Sequence, residues 1–439
     1  MTNQNQALLH ICENGKYLMK GDKPFFWLAD TAWLMLLRFS EEEIDVYLRN
    51  RAEKGFNVIQ TVLIHSYPEN KNNMTSLPPS VKDPTNDEYW DFVDHILDKM
   101  DALGLYAGLL PAWGQNVKDG VLTLPKMEEY AHFLGKRFQS KKNIIWILGG
   151  DVRGDVAPEI FCKEGEILKS YNPERLITYH PFGRTSSSLW FHDCKWLDFN
   201  MFQSGHRRYD QEQLGEWDDN KAAETWFGED NWRYVVRDHS HEVIKPTIDG
   251  EPSYEGIPQG LHNPRNPYWE EWDVRRYAYW SVFQGAAGHT YGNNAIQQGR
   301  NNPSDRPAYG CREMWTDAIH HPGSGQLGHL KKLMESVDFV NGRSRDDLLL
   351  FGQKERYHRI SVFAGTDYIL CYDYMGDEFM LNLSEYKNIP LDCYWMDPRD
   401  GSRSYITTVK GEEKHLFAPV ARKGHSNDHV LICLAVKEK

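Results

Sequence analysis

Two apolar segments of this 439-residue chain each end near a carboxylate. The first runs into Asp151 and the second, which begins at Lys245, runs into Glu251. A glycosidase built on a barrel needs two acids at strand tips, one to protonate the leaving oxygen and one to attack the sugar or activate water. The pair therefore indicates hydrolysis of a glycosidic bond.

Each acid also has a structural alternative. Asp151 could cap the next helix or pair with Arg153. Glu251 stands in a Gly-Glu-Pro sequence, which is a poor cap, so a structural role explains it less well. Asp249 is a competing acid, although strand alternation predicts that its side chain points into the barrel wall.

The elements that must position these acids are short apolar strands that alternate with amphipathic helices. The strands are predicted at 25–29, 58–64, 105–110, 144–148, 176–179, 199–202, 246–248 and 286–290. Helices are predicted at 41–54, 88–103, 126–138 and 159–170. About eight strand–helix units over roughly 300 residues predict an α/β fold, a closed (β/α)8 TIM barrel with a parallel sheet.

The pattern changes near residue 340. Short alternating runs at 359–364, 368–372, 391–395, 405–409 and 429–435 predict a C-terminal antiparallel β-sandwich. Residues 8–24 predict a short N-terminal β-hairpin that closes the bottom of the barrel. We therefore expect a catalytic barrel over residues 1–340, hairpin included, and a β-sandwich accessory domain over 345–439.

Other polar and aromatic residues follow the predicted strands, and active sites of such barrels lie at the C-terminal ends of the strands. Each one alone has a structural explanation, such as a histidine in the wall or a tryptophan in the core. As a set they predict a sugar-binding mouth. The predicted substrate-binding residues are Asp30, Trp33, His65, Trp113, His180, Gln203, Tyr254, His289 and Tyr291.

The composition excludes several classes of partner. The net charge is −13, and no basic stretch could neutralise phosphates, so neither nucleic acid nor an anionic membrane surface is expected. The seven scattered cysteines predict no disulfide framework and favour a reducing compartment. Without a signal-like N-terminus or a membrane-spanning stretch, the sequence predicts a cytoplasmic protein. A secreted or periplasmic location remains if a signal peptide was removed, and the sequence leaves the oligomeric state open.

Competing catalytic motifs fail. The sequence His239-Ser240-His241 resembles a metal-ligand pair, but it lies in a polar loop before the seventh strand, and no HExxH motif occurs. The glycines at 149–154 lack the GxGxxG spacing of dinucleotide sites, and GxSxG is missing. We therefore expect neither a metal nor a cofactor.

Four segments carry a resemblance to a known family: residues 25–33, 146–151, 249–255 and 394–401. With them the chain resembles the apiosidase-like glycoside hydrolases, family 140. The resemblance implies a (β/α)8 barrel followed by a β-sandwich, and a retaining double displacement on plant-type glycans, with apiose-bearing pectin side chains as the known target. It places the acid/base on Asp151 and the nucleophile on Glu251.

One feature departs from the wider clan of barrel glycosidases, which usually carry Asn-Glu at the end of strand 4, where this chain has Gly150-Asp151. The shorter acid suggests a small furanose ring as a hypothesis. The C-terminal domain resembles one labelled as collagen-binding in some relatives. Nothing in the sequence supports collagen binding, and a cap on the barrel is expected.

The sequence thus predicts a retaining glycosidase that acts on pectic oligosaccharides, apiose-containing ones included. Asp151 is expected to have the raised pKa, and the two carboxyl groups are expected to lie about 5–5.5 Å apart. The alternatives are a non-catalytic barrel that binds glycans and a glycosidase for a different sugar. Specificity is expected to lie in the loops at 66–87 and 206–241.

Overall fold

The computed structural model describes residues 7–66, 82–216, 218, 227–419 and 424–436. The chain begins with a small antiparallel sheet of three strands, Leu9–Ile11, Leu18–Lys20 and Lys23–Phe25, where a hairpin was predicted. At its first turn, a Cβ on Gly15 would lie 2.6 Å from the backbone oxygen of Ile244, just before the seventh barrel strand. The small sheet therefore packs against the N-terminal end of the barrel, as expected.

Eight parallel strands form the main sheet and confirm the predicted barrel. In chain order, barrel strands 1 to 8 are Trp27–Thr31, Val58–Ile64, Tyr106–Ala112, Ile144–Val152, Ile177–Pro181, Asn200–Phe202, Thr247–Asp249 and Gly288–Gly292. The ladder runs from strand 5 back to strand 1 and on through strands 8 and 7 to strand 6. Strands 5 and 6 stand at the two ends of this ladder, and two hydrogen bonds join them. Thr178 Oγ1 donates to Phe199 O at 2.7 Å, and the Ile177 N–H donates to the Asp198 carboxylate at 2.6 Å.

Helices follow the strands and cover the sheet. The described helices of seven or more residues are Glu41–Glu53, Asp87–Ala102, Leu124–Arg137, Pro158–Tyr171, Trp232–Asp238, Glu271–Phe283 and Pro322–Glu335. Single turns of helix are Met35–Arg38, Gln115–Lys118, Ser188–Phe191, Asn294–Gln297 and Trp315–Ala318. The capping box read from the sequence begins the first long helix: Ser40 Oγ accepts from the Glu43 N–H, and the Glu43 carboxylate accepts from the Ser40 N–H.

The C-terminal part consists of two antiparallel sheets, as the β-sandwich prediction requires. The six-stranded sheet has the order Arg343–Ser344, Ile360–Ala364, Tyr368–Asp373, His429–Ala435, Leu391–Met396 and Arg403–Val409. The three-stranded sheet contains Leu349–Phe351, Phe379–Asn382 and Lys414–Phe417, which were not predicted. These three runs are only three or four residues long and do not alternate between apolar and polar side chains, so alternation did not reveal them.

One helix joins the barrel to the sandwich. Residues of the helix Glu271–Phe283 are buried on almost every side. Its Tyr279 ring stacks on Tyr372 of the six-stranded sheet at 4.4 Å between ring centres. Beside this pair, the Arg275 guanidinium donates twice to the Asp428 carboxylate, at 2.7 Å each, with both side chains fully buried. The two parts of the chain therefore share one continuous interior.

Two further observations concern the described residues as a whole. None of their helices is both long and apolar enough to cross a membrane. All seven cysteines carry free thiols in the structure.

Candidate active site

The end of barrel strand 4 has an unusual backbone. Gly149, Gly150 and Asp151 all have positive φ angles, of 82°, 101° and 56°. A Cβ on Gly149 would lie 2.6 Å from the backbone oxygen of His180, and one on Gly150 would lie 3.0 Å from Leu110, so this path requires glycine. The register with strand 5 shifts here, as in a β-bulge. The bulge redirects the chain and turns Asp151 toward the barrel mouth.

Glu251, just after barrel strand 7, lies between two histidines. Its Oε1 accepts from Nε2 of His206 at 3.0 Å, and its Oε2 lies 3.1 Å from Nε2 of His180. Burial would raise the pKa of Glu251, but these imidazoles stabilise the carboxylate and lower the pKa to about 2. Glu251 is therefore the acid of the pair that stays ionised as pH falls.

Asp151 has the opposite electrostatics. Burial raises the pKa of its carboxyl to about 7, and the negative charge of Glu251 adds to this rise. His180, the positive charge of Arg207 and a hydrogen bond with Gln203 act in the other direction without cancelling this rise. Near neutral pH, Asp151 therefore holds a proton that it can donate.

His180 connects the two acids. Its Nδ1 accepts from the backbone N–H of Asp151 at 3.4 Å, and its Nε2 faces Glu251. A ring nitrogen that accepts carries no proton, so the neutral ring has its proton on Nε2, where it can donate to Glu251. One imidazole thus holds the bulge of strand 4 and the carboxylate of strand 7 in a fixed relation.

The set of binding residues predicted from the sequence does not include His206, although it stands at the tip of a predicted strand. It follows barrel strand 6, and its neighbour Gly205 donates its N–H to the backbone oxygen of Glu251 at 3.0 Å. A Cβ on Gly205 would lie 2.5 Å from the Pro252 oxygen, so only glycine lets the two loops lie together. The dipeptide Gly-His at a strand tip was the available signal.

Arg207 was also missed. Its Nη2 lies 2.6 Å from the Asp218 carboxylate, and both side chains are almost fully buried. A Cβ on Gly183 would lie 2.5 Å from its guanidinium, so that glycine makes room for it. Its positive charge reaches Asp151 and favours the ionised form of that acid. Nothing in the local sequence distinguished Arg207 from a surface arginine.

Aromatic rings form one wall of the mouth. The Trp33 indole N–H donates to the Tyr254 hydroxyl at 3.1 Å, and its ring meets Trp113 edge-on at 5.4 Å. Trp33 also lies edge-on to His180 at 5.3 Å, and His65 stacks on Trp113 at 5.7 Å. The structure thus brings these predicted residues together beside the acid pair. A flat apolar wall next to two carboxylates suits the C–H face of a sugar.

Three predicted binding residues lie elsewhere, and for these the prediction is corrected. The Asp30 carboxylate is buried between Tyr47 and Arg51 of the helix Glu41–Glu53, with oxygen–oxygen and nitrogen–oxygen distances of 2.7 and 2.5 Å. His289 bonds the Ser281 hydroxyl, and the Tyr291 hydroxyl donates to Glu255 at 2.6 Å. Side chains alternate along strands 1 and 8, and these three point outward to the helix layer.

Asp249, the competing acid, also lies in the wall. Its carboxylate accepts from the Ser204 hydroxyl at 2.5 Å and from the Asn231 amide at 3.0 Å. Burial raises its pKa to about 7. These bonds connect the ends of strands 6 and 7 behind the mouth.

The remaining predictions about the site concern loops and metals. Residues 67–81 and 219–226, within the two loops expected to set specificity, lie outside the described residues. Within the described ranges, no group of three His, Cys, Asp or Glu side chains is arranged to hold a metal ion.

Comparisons with known proteins agree with this geometry. The model of an apiosidase-like catalytic domain matches residues 12–341, and a model described as a collagen-binding domain of a collagenase matches residues 346–434. A solved structure named a glycoside hydrolase is 35% identical over 100% of this chain and 99% of its own, with a TM-score of 0.90. A family 5 glycoside hydrolase from Bacteroides vulgatus is 35% identical over 99% of this chain and 95% of its own, also with a TM-score of 0.90. The search of curated proteins gave no match. The chain belongs to the apiosidase-like family and is a glycoside hydrolase.

Proposed function

We propose that the chain is a retaining glycoside hydrolase in which Glu251 is the nucleophile and Asp151 is the acid/base. The geometry around two neighbouring carboxyl groups carries the assignment: Glu251 lies between Nε2 of His206 at 3.0 Å and Nε2 of His180 at 3.1 Å, and Asp151 lacks such a pair of donors, so the two pKa values are displaced in opposite directions. Pairs of acids separated in this way divide into a proton donor and a permanent anion.

The reaction then has two steps. Glu251 attacks the anomeric carbon while Asp151 gives its proton to the leaving oxygen, which breaks the glycosidic bond and forms a glycosyl ester on Glu251. Asp151, now ionised, takes a proton from water as that water attacks the anomeric carbon and releases Glu251. The sugar leaves with its original configuration.

The coupling between the two acids supports the change of role. The charge of Glu251 is one reason for the high pKa of Asp151. That charge disappears when Glu251 becomes an ester, so the pKa of Asp151 falls in the intermediate. The same residue is therefore an acid in the first step and a base in the second.

For the substrate we propose a pectic oligosaccharide, with apiose as the leading candidate for the sugar that is released. Membership of the apiosidase-like family supports this choice. The short Asp151 on its bulge leaves more room than a glutamate would, which suits a small furanose ring. We also propose a cytoplasmic location, which the seven free thiols support.

Product analysis on a broad panel of plant oligosaccharides tests the proposal. We expect release of a single sugar, and proton NMR of the first product should show retained configuration at the anomeric carbon. Binding without release would favour a non-catalytic glycan-binding barrel. An inverted first product would show that Glu251 activates water and is not the nucleophile.

A variant separates the roles of the two acids. Glu251→Ala should remove activity, and added azide should restore turnover and give the glycosyl azide of inverted configuration, because azide occupies the space of the missing carboxylate. In Asp151→Ala, azide should instead give the azide of retained configuration, on substrates whose leaving groups need no protonation. Near-normal turnover in Glu251→Ala would disprove the nucleophile assignment.

A further inference from the structure

A buried cluster of charges and rings lies where the barrel meets the sandwich. At its centre is Glu229, which is 1% exposed. Its Oε2 accepts from Nη2 of Arg276 at 2.7 Å, and its Oε1 accepts from the Tyr357 hydroxyl at 2.9 Å and from the Tyr209 N–H at 3.4 Å. Three separate parts of the chain therefore share one carboxylate.

The sandwich contributes Tyr357 to this cluster. Tyr357 lies in the short turn Arg356–His358, before the strand Ile360–Ala364. Its ring meets Tyr209 edge-on at 5.4 Å, and the Arg276 guanidinium lies 5.1 Å from its centre. The Tyr357 hydroxyl thus links the sandwich to the segment that leaves barrel strand 6.

The segment after barrel strand 6 provides half of the side chains that interact with Asp151 and Glu251. Gln203 bonds Asp151, His206 bonds Glu251, and the charge of Arg207 acts on Asp151. Tyr209 follows two residues after Arg207, and its hydroxyl donates to the Asp230 carboxylate at 2.5 Å. A short stretch therefore runs from the catalytic pocket directly into the cluster around Glu229.

We propose that Tyr357 is a positioning residue for the active site. Through Glu229 and Tyr209 it fixes the segment that places Gln203, His206 and Arg207 against the two acids. The sandwich domain then completes the catalytic geometry of the barrel, beyond its role as a cap. This inference rests on the proposed function of Asp151 and Glu251.

The arrangement predicts a specific change of pH dependence. The charged or polar groups that face Asp151 are Glu251, His180, Arg207 and Gln203, and the last two belong to the positioned segment. Arg207 and Gln203 both favour the ionised form of Asp151. If the segment relaxes away from the pocket, the pKa of Asp151 rises and the basic limb of the pH profile moves to higher pH.

The test compares three full-length variants that each lose one hydroxyl. Tyr357→Phe should lower kcat by roughly 5- to 20-fold with less than a twofold change in KM, since a misplacement of about 1 Å can reduce rates up to 100-fold. Its basic limb should move upward. Tyr209→Phe keeps the backbone bond to Glu229 but loses the hydroxyl bond to Asp230, and it should also lower kcat and move the basic limb upward. Tyr386→Phe is the matched control, because that hydroxyl bonds the Gly365 oxygen at 2.7 Å within the sandwich, and it should behave as wild type.

A second measurement needs no substrate. The Asp151 carboxyl can be titrated by carbon NMR of aspartate-labelled protein, with its signal identified by its loss in Asp151→Asn. A higher Asp151 pKa in Tyr357→Phe supports the inference even if the protein hydrolyses no sugar. The lack of hydrolysis would count only against the proposed function. If the kinetics and the titration of Tyr357→Phe match those of the Tyr386→Phe control, the positioning role of Tyr357 is overturned. If Tyr357→Phe fails to fold, the same comparison is made with Glu229→Gln, which keeps the shape of the side chain that Tyr357 and Tyr209 share and removes its charge.

Discussion

Removing the charge of each of the two proposed catalytic acids should change the stability of the protein in opposite directions. Asp151 has a pKa raised from its ordinary 3.8 to about 7, so the unfolded chain ionises first, and stability falls as pH rises through this window. The difference corresponds to at most about 4 kcal/mol. Asp151 keeps some access to solvent and is coupled to Glu251, so we expect about 1–2 kcal/mol. Asp151→Asn should therefore be inactive and more stable than wild type above pH 7, with the advantage decreasing toward pH 4.5.

Glu251→Gln is the matched control. The pKa of Glu251 is lowered from 4.5 to about 2, so its stabilising effect is fully present above pH 4.5 and is lost only as pH falls toward 2. This variant should be less stable than wild type at both pH 4.5 and pH 8.5. Urea unfolding followed by fluorescence at the two pH values measures all three proteins. If Asp151→Asn is no more stable than wild type at pH 8.5, the raised pKa and the acid role derived from it are refuted.

Three further changes test the geometry of the site. His206→Asn should lower kcat/KM by roughly 10- to 100-fold, since a hydrogen bond to a charged group is worth about 1.5–3 kcal/mol. It should also move the acidic limb of the pH–rate profile to higher pH. An unchanged acidic limb would count against the pairing of His206 with Glu251. Gly150→Ala should reduce kcat and lower the free energy of unfolding by about 1–3 kcal/mol, because alanine is strained at a φ of 101° and its Cβ would press on Leu110 and displace Asp151; wild-type kinetics and stability would show that the bulge tolerates the change. Asp30→Asn should lower the free energy of unfolding by about 3–5 kcal/mol, because it removes the carboxylate that pairs with the buried Arg51. Activity per folded molecule should stay near that of the wild type. A selective rise in KM would show that Asp30 belongs to the binding site after all.

The fold was largely predictable because its determinants are local. The helix predicted at 41–54 is Glu41–Glu53, since the capping box and the glycine at position 55 mark its ends in the sequence. Barrel strands are continuous apolar runs covered on both faces, so the strand predicted at 144–148 was recognisable from its own residues; the structure extends it to Val152. The three strands of the smaller C-terminal sheet are only three or four residues long, too short to stand out from the loops around them, and were not predicted.

The site was predictable only to the level of strand tips. Strand ends identified Asp151, Glu251 and His180, because the topology of the barrel brings the ends of all strands to one mouth. The position of a residue at a strand end does not show where its side chain points, because that depends on register and on alternation along the strand. Asp30 and His289 stand at or near strand ends as well, and both point to the helices.

The roles of the two acids come from contacts that no spacing in the sequence reveals. The proposed nucleophile stays ionised because His180 and His206 both reach it, and His206 does so because Gly205 allows its loop to lie on the backbone of Glu251. Asp151, on a bulge with no such pair of donors, keeps its proton. Transplanting the two acids without their histidines and glycines should therefore give a barrel with both carboxylates in place and little separation of their pKa values.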